Sequence, residues 1–298
     1  MVRSGVHLPP SPPRGTSYDT AARTVEDLGF DTIWVSDHAL LVRDSQSSYP
    51  FSEDGRFFLP PDADWYDWTT TLGYLAAATS HIGLGVSVAI LPLRHPLLLA
   101  KQVATLDRLS GGRITLGAGI GWLEEEYDAL DVPFRRRGAR MDGGLALLRA
   151  GWTGSPEPGA YGPFEVPAGV ELHPRPVQAR LPILIGGAGE KALERIVKYG
   201  DGWAVSTPGG RPDAARLRAD VNDLRNRCAD SGRDPAGLDI VVRVAGPALE
   251  VAEPSYADWL GDLVAAGATS FSFDVSWREP ARTSETLEVL RKLMWEMA

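Results

Sequence analysis

The chain has 298 residues, 44% of them hydrophobic and 23% charged, with a formal net charge of −9. That acidic balance argues against a nucleic-acid backbone as a partner, which needs concentrated Lys and Arg; no apolar run approaches the roughly 18 residues that span a membrane; and the one cysteine, Cys228, excludes an internal disulfide framework. The opening MVRSGVHLPPSPPRG lacks the apolar core and small-residue cleavage site of a signal peptide, so a cytoplasmic location is expected.

Short β-branched runs alternate with amphipathic stretches, the pattern of a parallel sheet with helical crossovers. The first predicted strand lies near Val2 to Leu8, and its helix runs from about Ser17 to a glycine C-terminus at Gly29. Asp31 to Ser36 is the second strand; a polar and aromatic segment, Ala39 to Asp67, separates it from a helix over Trp68 to Thr79. His81 to Ile90 is the third strand, and Pro96 opens a helix that ends at Ser110-Gly111-Gly112. Arg113 to Ala118 with Arg136 to Ala150 forms the fourth unit, followed by a Gly/Pro-rich excursion from Gly151 to Pro182. The later units are Ile183 to Ile185 with Glu190 to Lys198, Gly202 to Val205 with Pro212 to Asp230, Leu238 to Ala245 with Tyr256 to Ala266, and Thr269 to Asp274 with Arg282 to Met297.

Eight consecutive right-handed units have one common solution, a closed (β/α)8 TIM barrel with an outer ring of helices, and residues 1–298 read as one domain. An open doubly wound sheet would place a glycine phosphate loop straight after the first strand. Pro9-Pro10-Ser11-Pro12-Pro13 removes the N–H donors that such a loop requires. Segments 39–67 and 151–182 are insertions after strand two and after helix four, long enough to be functional lids, and both are expected to shape a pocket.

Barrel chemistry sits at the carboxyl ends of the strands, and strands two to five stand out there. Strand two ends in Ser36-Asp37-His38, where His38 reads as a general acid or base, an imidazole packed over a cofactor ring, or a satisfied interior histidine. Strand three carries Gly85-Val86-Ser87-Val88, and strand four ends in Gly117-Ala118-Gly119-Ile120-Gly121. These small residues either fit a crowded barrel interior or let a flat ring lie against the backbone. Strand five ends in Gly186-Gly187-Ala188-Gly189 before a helix at Glu190, a start that favours a phosphate unless the glycines only turn the chain. The basic run Arg135-Arg136-Arg137 reads as a solvated face or a contact to an anionic cofactor tail. The five histidines form no H-x-H or H-E-x-x-H pair, so no metal site is expected, and no G-x-S-x-G elbow is present.

Three blocks, LGFDTIWVSDH, IGLGVSVAILPLRHPLLLAKQVATLDRLSGGRITLGAGIGWLEEEYDALDVPFRRRGARMD and PILIGGAGEKALERIVKYGDGWAVS, resemble the successive signatures of luciferase-like monooxygenases. The similarity is greatest to the actinobacterial branch described as probable coenzyme F420-dependent oxidoreductases and runs from about residue 20 to 206. It implies an oxidoreductase that moves a hydride between a deazaflavin (F420) and a small organic substrate. The alternatives are an FMN-dependent monooxygenase using O2 and a separate reductase, and, in another class, a non-catalytic flavin-binding barrel. A homodimer is implied as well.

By the resemblance the ring lies over strands two to four, with His38 beside it as the catalytic group and Asp37 next to it. A non-prolyl cis peptide at Ser87-Val88 forms a bulge behind the ring, Gly119, Gly121 and Trp122 line strand four, and Gly186, Gly187, Ala188 and Gly189 receive the phosphate. The family's sugar-phosphate dehydrogenases have a proton-donating glutamate where this chain has Trp122, and an aromatic residue where it has Val42, so sugar-phosphate oxidation is not implied. The aromatics Tyr49, Phe51, Phe57, Phe58, Trp65, Tyr66 and Trp68 wall a substrate pocket, cover the rim or make a dimer contact.

Overall fold

A computed structural model describes residues 2–297 except 14, 53 and 245–253. Its strands are β1 (Arg3–His7), β2 (Thr32–Val35), β3 (Gly83–Ile90), β4 (Ile114–Gly119), β5 (Gly159–Tyr161), β6 (Phe164–Val166), β7 (Ile183–Gly186), β8 (Gly202–Val205), β9 (Asp239–Val244) and β10 (Ser270–Asp274). The helices are α1 (Tyr18–Asp27), α2 (Trp68–Ala78), α3 (Pro96–Ser110), α4 (Glu124–Ala129), α5 (Arg137–Gly151), α6 (Glu190–Lys198), α7 (Ala214–Asp230), α8 (Pro254–Ala265) and α9 (Pro280–Glu296). All strands except β5 and β6 pair in parallel and close into an eight-stranded TIM barrel, β1 bonding to both β2 and β10. Each of the eight predicted units has its counterpart. The predicted end of the seventh strand at Ala245 lies outside the described residues.

Local chemistry sets the helix limits. Pro96 occupies the first turn of α3 where its missing N–H costs nothing, and Gly111 closes that helix at φ 71°, a left-handed conformation that glycine adopts without a Cβ clash. Asp67 caps α2 by accepting the Thr70 N–H at 2.9 Å. Along each strand, side chains alternate between the helices and the barrel axis. Val6, Ile33, Leu84, Leu116, Ile183 and Val242 face outward into the main core, each at most 1% exposed and each contributing about 1.5–3 kcal/mol by burial. Trp34, Leu184, Ala204 and Val241 form a separate cluster with Val88 inside the barrel.

At the amino end of the barrel the Glu26 carboxylate accepts N–H groups of Ser80, His81 and Ile82 at 2.8–3.1 Å, fastening α1 to the entry of β3. Burial opposes its ionisation, yet these donors together hold the carboxyl below its ordinary value.

Segment 39–67 leaves the carboxyl end of β2 and so belongs to the barrel mouth. Segment 151–182 does not shape the mouth as expected: it follows the C-terminus of α5 and packs on the outside of the barrel. Its antiparallel hairpin β5–β6 buries Phe164 and Val166 against Leu147 of α5 and Leu97 of α3. The short helix α4, between β4 and α5, is also absent from the predicted units.

Candidate active site

Just beyond the carboxyl end of β2 stand Asp37 and His38, both buried. Asp37 grips Arg94 with both oxygens, at 2.6 and 2.7 Å, and accepts the Ile90 N–H at 2.8 Å. It thereby ties the end of β2 to the end of β3. His38 turns Nδ1 to the Glu126 carboxylate at 2.9 Å, and the other oxygen of Glu126 accepts the N–H groups of Ala39 at 2.6 Å and Leu40 at 3.3 Å. Glu126 is completely buried, although it ends the run Glu124-Glu125-Glu126 in the first turn of α4.

The insertion after β2 folds over this pair. The His38 ring meets Trp65 edge-on at 4.9 Å, Phe57 at 5.4 Å and Trp122 at 5.9 Å, while Tyr49 packs on Phe57 and Trp122 at 5.0 and 5.1 Å. Glu125 fixes the insertion by accepting from Gln46 N, Ser47 N and Ser47 Oγ at 2.6–3.1 Å. Of the three readings of the aromatic segment, Tyr49, Phe57 and Trp65 match a wall over the site. Phe51, Phe58 and Tyr66 are exposed, and Trp68 belongs to the main core.

At the ends of β3, β4 and β7, small residues form a floor. The Ser87–Val88 peptide is cis, and the pairing of β3 with β4 shifts register between Val86 and Ala89. A Cβ on Gly119 would lie 2.5 Å from Val88 Cγ2, and one on Gly186 would lie 2.9 Å from Val88 Cγ1. Gly117 is equally closed, by the Val86 carbonyl. These glycines therefore admit the displaced Val88, and Val88, Gly119 and Gly186 converge where β3, β4 and β7 end. Gly121 faces elsewhere, toward Ile90 and Tyr127, with φ 68°.

Gly187, Ala188 and Gly189 are exposed ahead of α6. Gly187 and Gly189 have φ 100° and 78°, Gly189 has open space around it, and no side chain caps the helix. Uncapped N–H groups at a helix start suit an anionic oxygen, so the residues present fit a phosphate-bearing group. Of the basic run, the Arg137 guanidinium lies 3.7 Å from the Phe134 ring centroid and donates to the Phe134 carbonyl, while its Nε is buried without a hydrogen-bond partner among the described residues.

The neighbouring strands β1, β10 and β9 carry a polar cluster that the sequence does not single out. Arg243 of β9 and Asp274 of β10 form a two-point ion pair, each bond 3.0 Å, and His7 of β1 lies in register with Asp274. Both ring nitrogens of His7 are buried without a hydrogen-bond partner among the described residues. Burial, reinforced by the Arg243 charge, pushes the His7 pKa down to about 3, so the ring is neutral. Burial raises the Tyr49 hydroxyl, which also feels Arg243 and Asp274, placing the insertion's tyrosine near this cluster. Among the described residues no cluster of three or more His, Cys, Asp or Glu could hold a metal, and no helix is long and apolar enough to cross a membrane.

A TIM barrel whose candidate chemistry gathers at the carboxyl ends of its strands is an enzyme architecture. The profile of the luciferase-like monooxygenase family matches residues 3–249, and the chain belongs to that family of enzymes. An uncharacterized protein of Mycobacterium tuberculosis is 38% identical over 234 residues, covering 77% of this chain and 79% of its own. The fold matches coenzyme F420 dependent tetrahydromethanopterin reductase from Methanopyrus kandleri with a TM-score of 0.75 at 16% identity, over 100% of this chain and 99% of that one. Monooxygenase RslO1 from Streptomyces bottropensis matches at 0.74 and 17%, over 99% of both chains.

Two features of the site escaped the sequence reading. Glu126 sits among three consecutive glutamates, a pattern of solvated helix starts; its spacing of three from the buried Leu123 is the signal that could have marked it as inward. His7, Arg243 and Asp274 lie on strands one, seven and eight of the barrel, outside the strands singled out.

Proposed function

We propose that the protein is an oxidoreductase that moves a hydride between a 5-deazaflavin of the F420 type and a small, uncharged organic substrate at the barrel mouth. The observation that carries this reading is the floor of Val88, Gly119 and Gly186 around the Ser87–Val88 bulge, at the same carboxyl end of the barrel as a buried histidine–carboxylate pair. With glycine at 119 and 186, the Val88 side chain is the one the bulge presents, an apolar surface that a flat ring can rest against, and the uncapped start of α6 beyond Gly186 suits its phosphate. When bound, the ring supplies the hydride donor or acceptor. The chain's own part is to orient both reactants, to exclude water with the Tyr49, Phe57, Trp65 and Trp122 rings, and to move a proton at His38. Asp37 is a positioning residue that holds the β2 and β3 ends together through Arg94 and Ile90.

FMN is the competing ring, because a monooxygenase shares the fold as closely as an F420-dependent reductase does. Titration of the purified protein with oxidised deazaflavin and, separately, with FMN decides between them. Saturable quenching of deazaflavin fluorescence with weaker binding of FMN is the expected result. The reverse order replaces the reaction with an O2-dependent oxygenation served by a separate reductase. Tight retention of either ring without redox exchange makes the chain a binding protein, and saturable binding of neither removes the redox reading.

A further inference from the structure

Two backbone donors and one imidazole nitrogen converge on Glu126. One carboxylate oxygen takes the N–H groups of Ala39 and Leu40, and the other faces Nδ1 of His38 at 2.9 Å. Glu124 is exposed and Glu125 is engaged with the insertion, so Glu126 alone of the three carboxylates meets the ring. Backbone N–H groups only donate, and an ionised carboxylate only accepts. With Glu126 ionised, the proton in the His38–Glu126 bond lies on Nδ1, and when the ring carries a single proton its free lone pair is on Nε2. Among the described residues Nε2 has no hydrogen-bond partner, and the ring is framed by Phe57, Trp65 and Trp122, so the lone pair is left for a ligand.

We propose that Glu126 is a positioning residue that fixes the tautomer of His38, making Nε2 the atom that takes a proton at the barrel mouth. The inference rests on the reading of His38 as the proton-handling group of the redox reaction. It has a consequence that simple support of the ring would not have. A glutamine at 126 has one oxygen and one NH2. The oxygen must stay with Ala39 and Leu40, because the opposite rotamer sets NH2 against two backbone donors. NH2 then points at Nδ1 and donates to it, which forces the ring proton onto Nε2. Glu126→Gln thus exchanges the roles of the two ring nitrogens at almost unchanged volume.

Long-range ¹H–¹⁵N correlation spectra of the full chain, labelled at histidine, read this directly. They are recorded about two pH units above the ordinary histidine value of about 6.5, where free imidazoles are neutral. The chain has five histidines, and the His38→Asn spectrum identifies the ring in question. The expected wild-type pattern is a protonated Nδ1 and a bare Nε2, and the expected Glu126→Gln pattern is its inverse. A proton on wild-type Nε2, or an unchanged pattern in Glu126→Gln, overturns the proposal. The wild-type spectrum decides alone if the variant does not fold. Neither cofactor nor substrate is needed, so a chain that binds no ring loses the redox reading while the tautomer assignment stands. A wrong tautomer removes the role of Glu126 and leaves the ring titration as it was.

Discussion

His7→Phe should make the protein markedly more resistant to acid. The His7 ring is 4% exposed, its two nitrogens have no hydrogen-bond partner among the described residues, and Arg243 stands beside it. Burial first, and Arg243 second, lower its pKa from 6.5 to about 3 in the folded protein. A histidine with a depressed folded pKa costs no stability above 6.5. Below that value the unfolded chain binds a proton that the folded chain refuses, and stability falls by about 1.4 kcal/mol per pH unit until the folded pKa is reached. Between pH 7.5 and pH 4.5 only the two units below 6.5 count, which amounts to about 2.7 kcal/mol. Phenylalanine has no such proton, and replacing an unpartnered buried polar ring by an apolar one of similar size is neutral to stabilising at pH 7.5. Urea unfolding of both proteins at the two pH values, followed by tryptophan fluorescence, measures the difference. Carboxylates such as Glu26 and Asp201, whose folded pKa values are lowered, weaken both proteins alike in acid and cancel in the comparison. Equal loss of stability in wild type and His7→Phe would refute the reasoning.

Two further substitutions probe the frame of the site. Gly186→Ala brings a Cβ to 2.9 Å from Val88 Cγ1 and should cost about 1–3 kcal/mol by overpacking; in a Val88→Ala background most of that cost should vanish. Additive effects in the thermal unfolding of the double variant would show that the two residues do not share the space. Arg94→Met leaves the Asp37 carboxylate buried without its charge partner and should cost about 3–5 kcal/mol. A loss below about 1 kcal/mol would show that the pair is solvated like a surface bridge.

The barrel was legible because its signals are local and repeated. Gly29 and Gly111 end helices at positive φ, Pro96 starts one, and eight short apolar runs alternate with helical stretches. The cis peptide at Ser87–Val88 follows from family resemblance and is present. What the sequence conceals is the partner of each site residue. His38 and Glu126 are 88 positions apart, and nothing near either residue announces the other. The glycines of β4 and β7 show the same difficulty. Their number suggested either crowding or room for a ring, and only the position of Val88 reveals that crowding by one side chain demands them. The hairpin β5–β6 was hidden because strands of three residues carry too few alternations to register as a period.

The central claim is that a flat redox ring binds at the carboxyl ends of β3, β4 and β7, the end of the barrel that holds His38. A crystal structure of the full chain grown with oxidised deazaflavin tests it most directly. The account predicts the ring in van der Waals contact with Val88, Nε2 of His38 turned toward the ring-facing space, and the phosphate at the N–H groups that open α6. A ring bound outside the mouth, or one seated there with its phosphate away from Gly187 to Gly189, would contradict it.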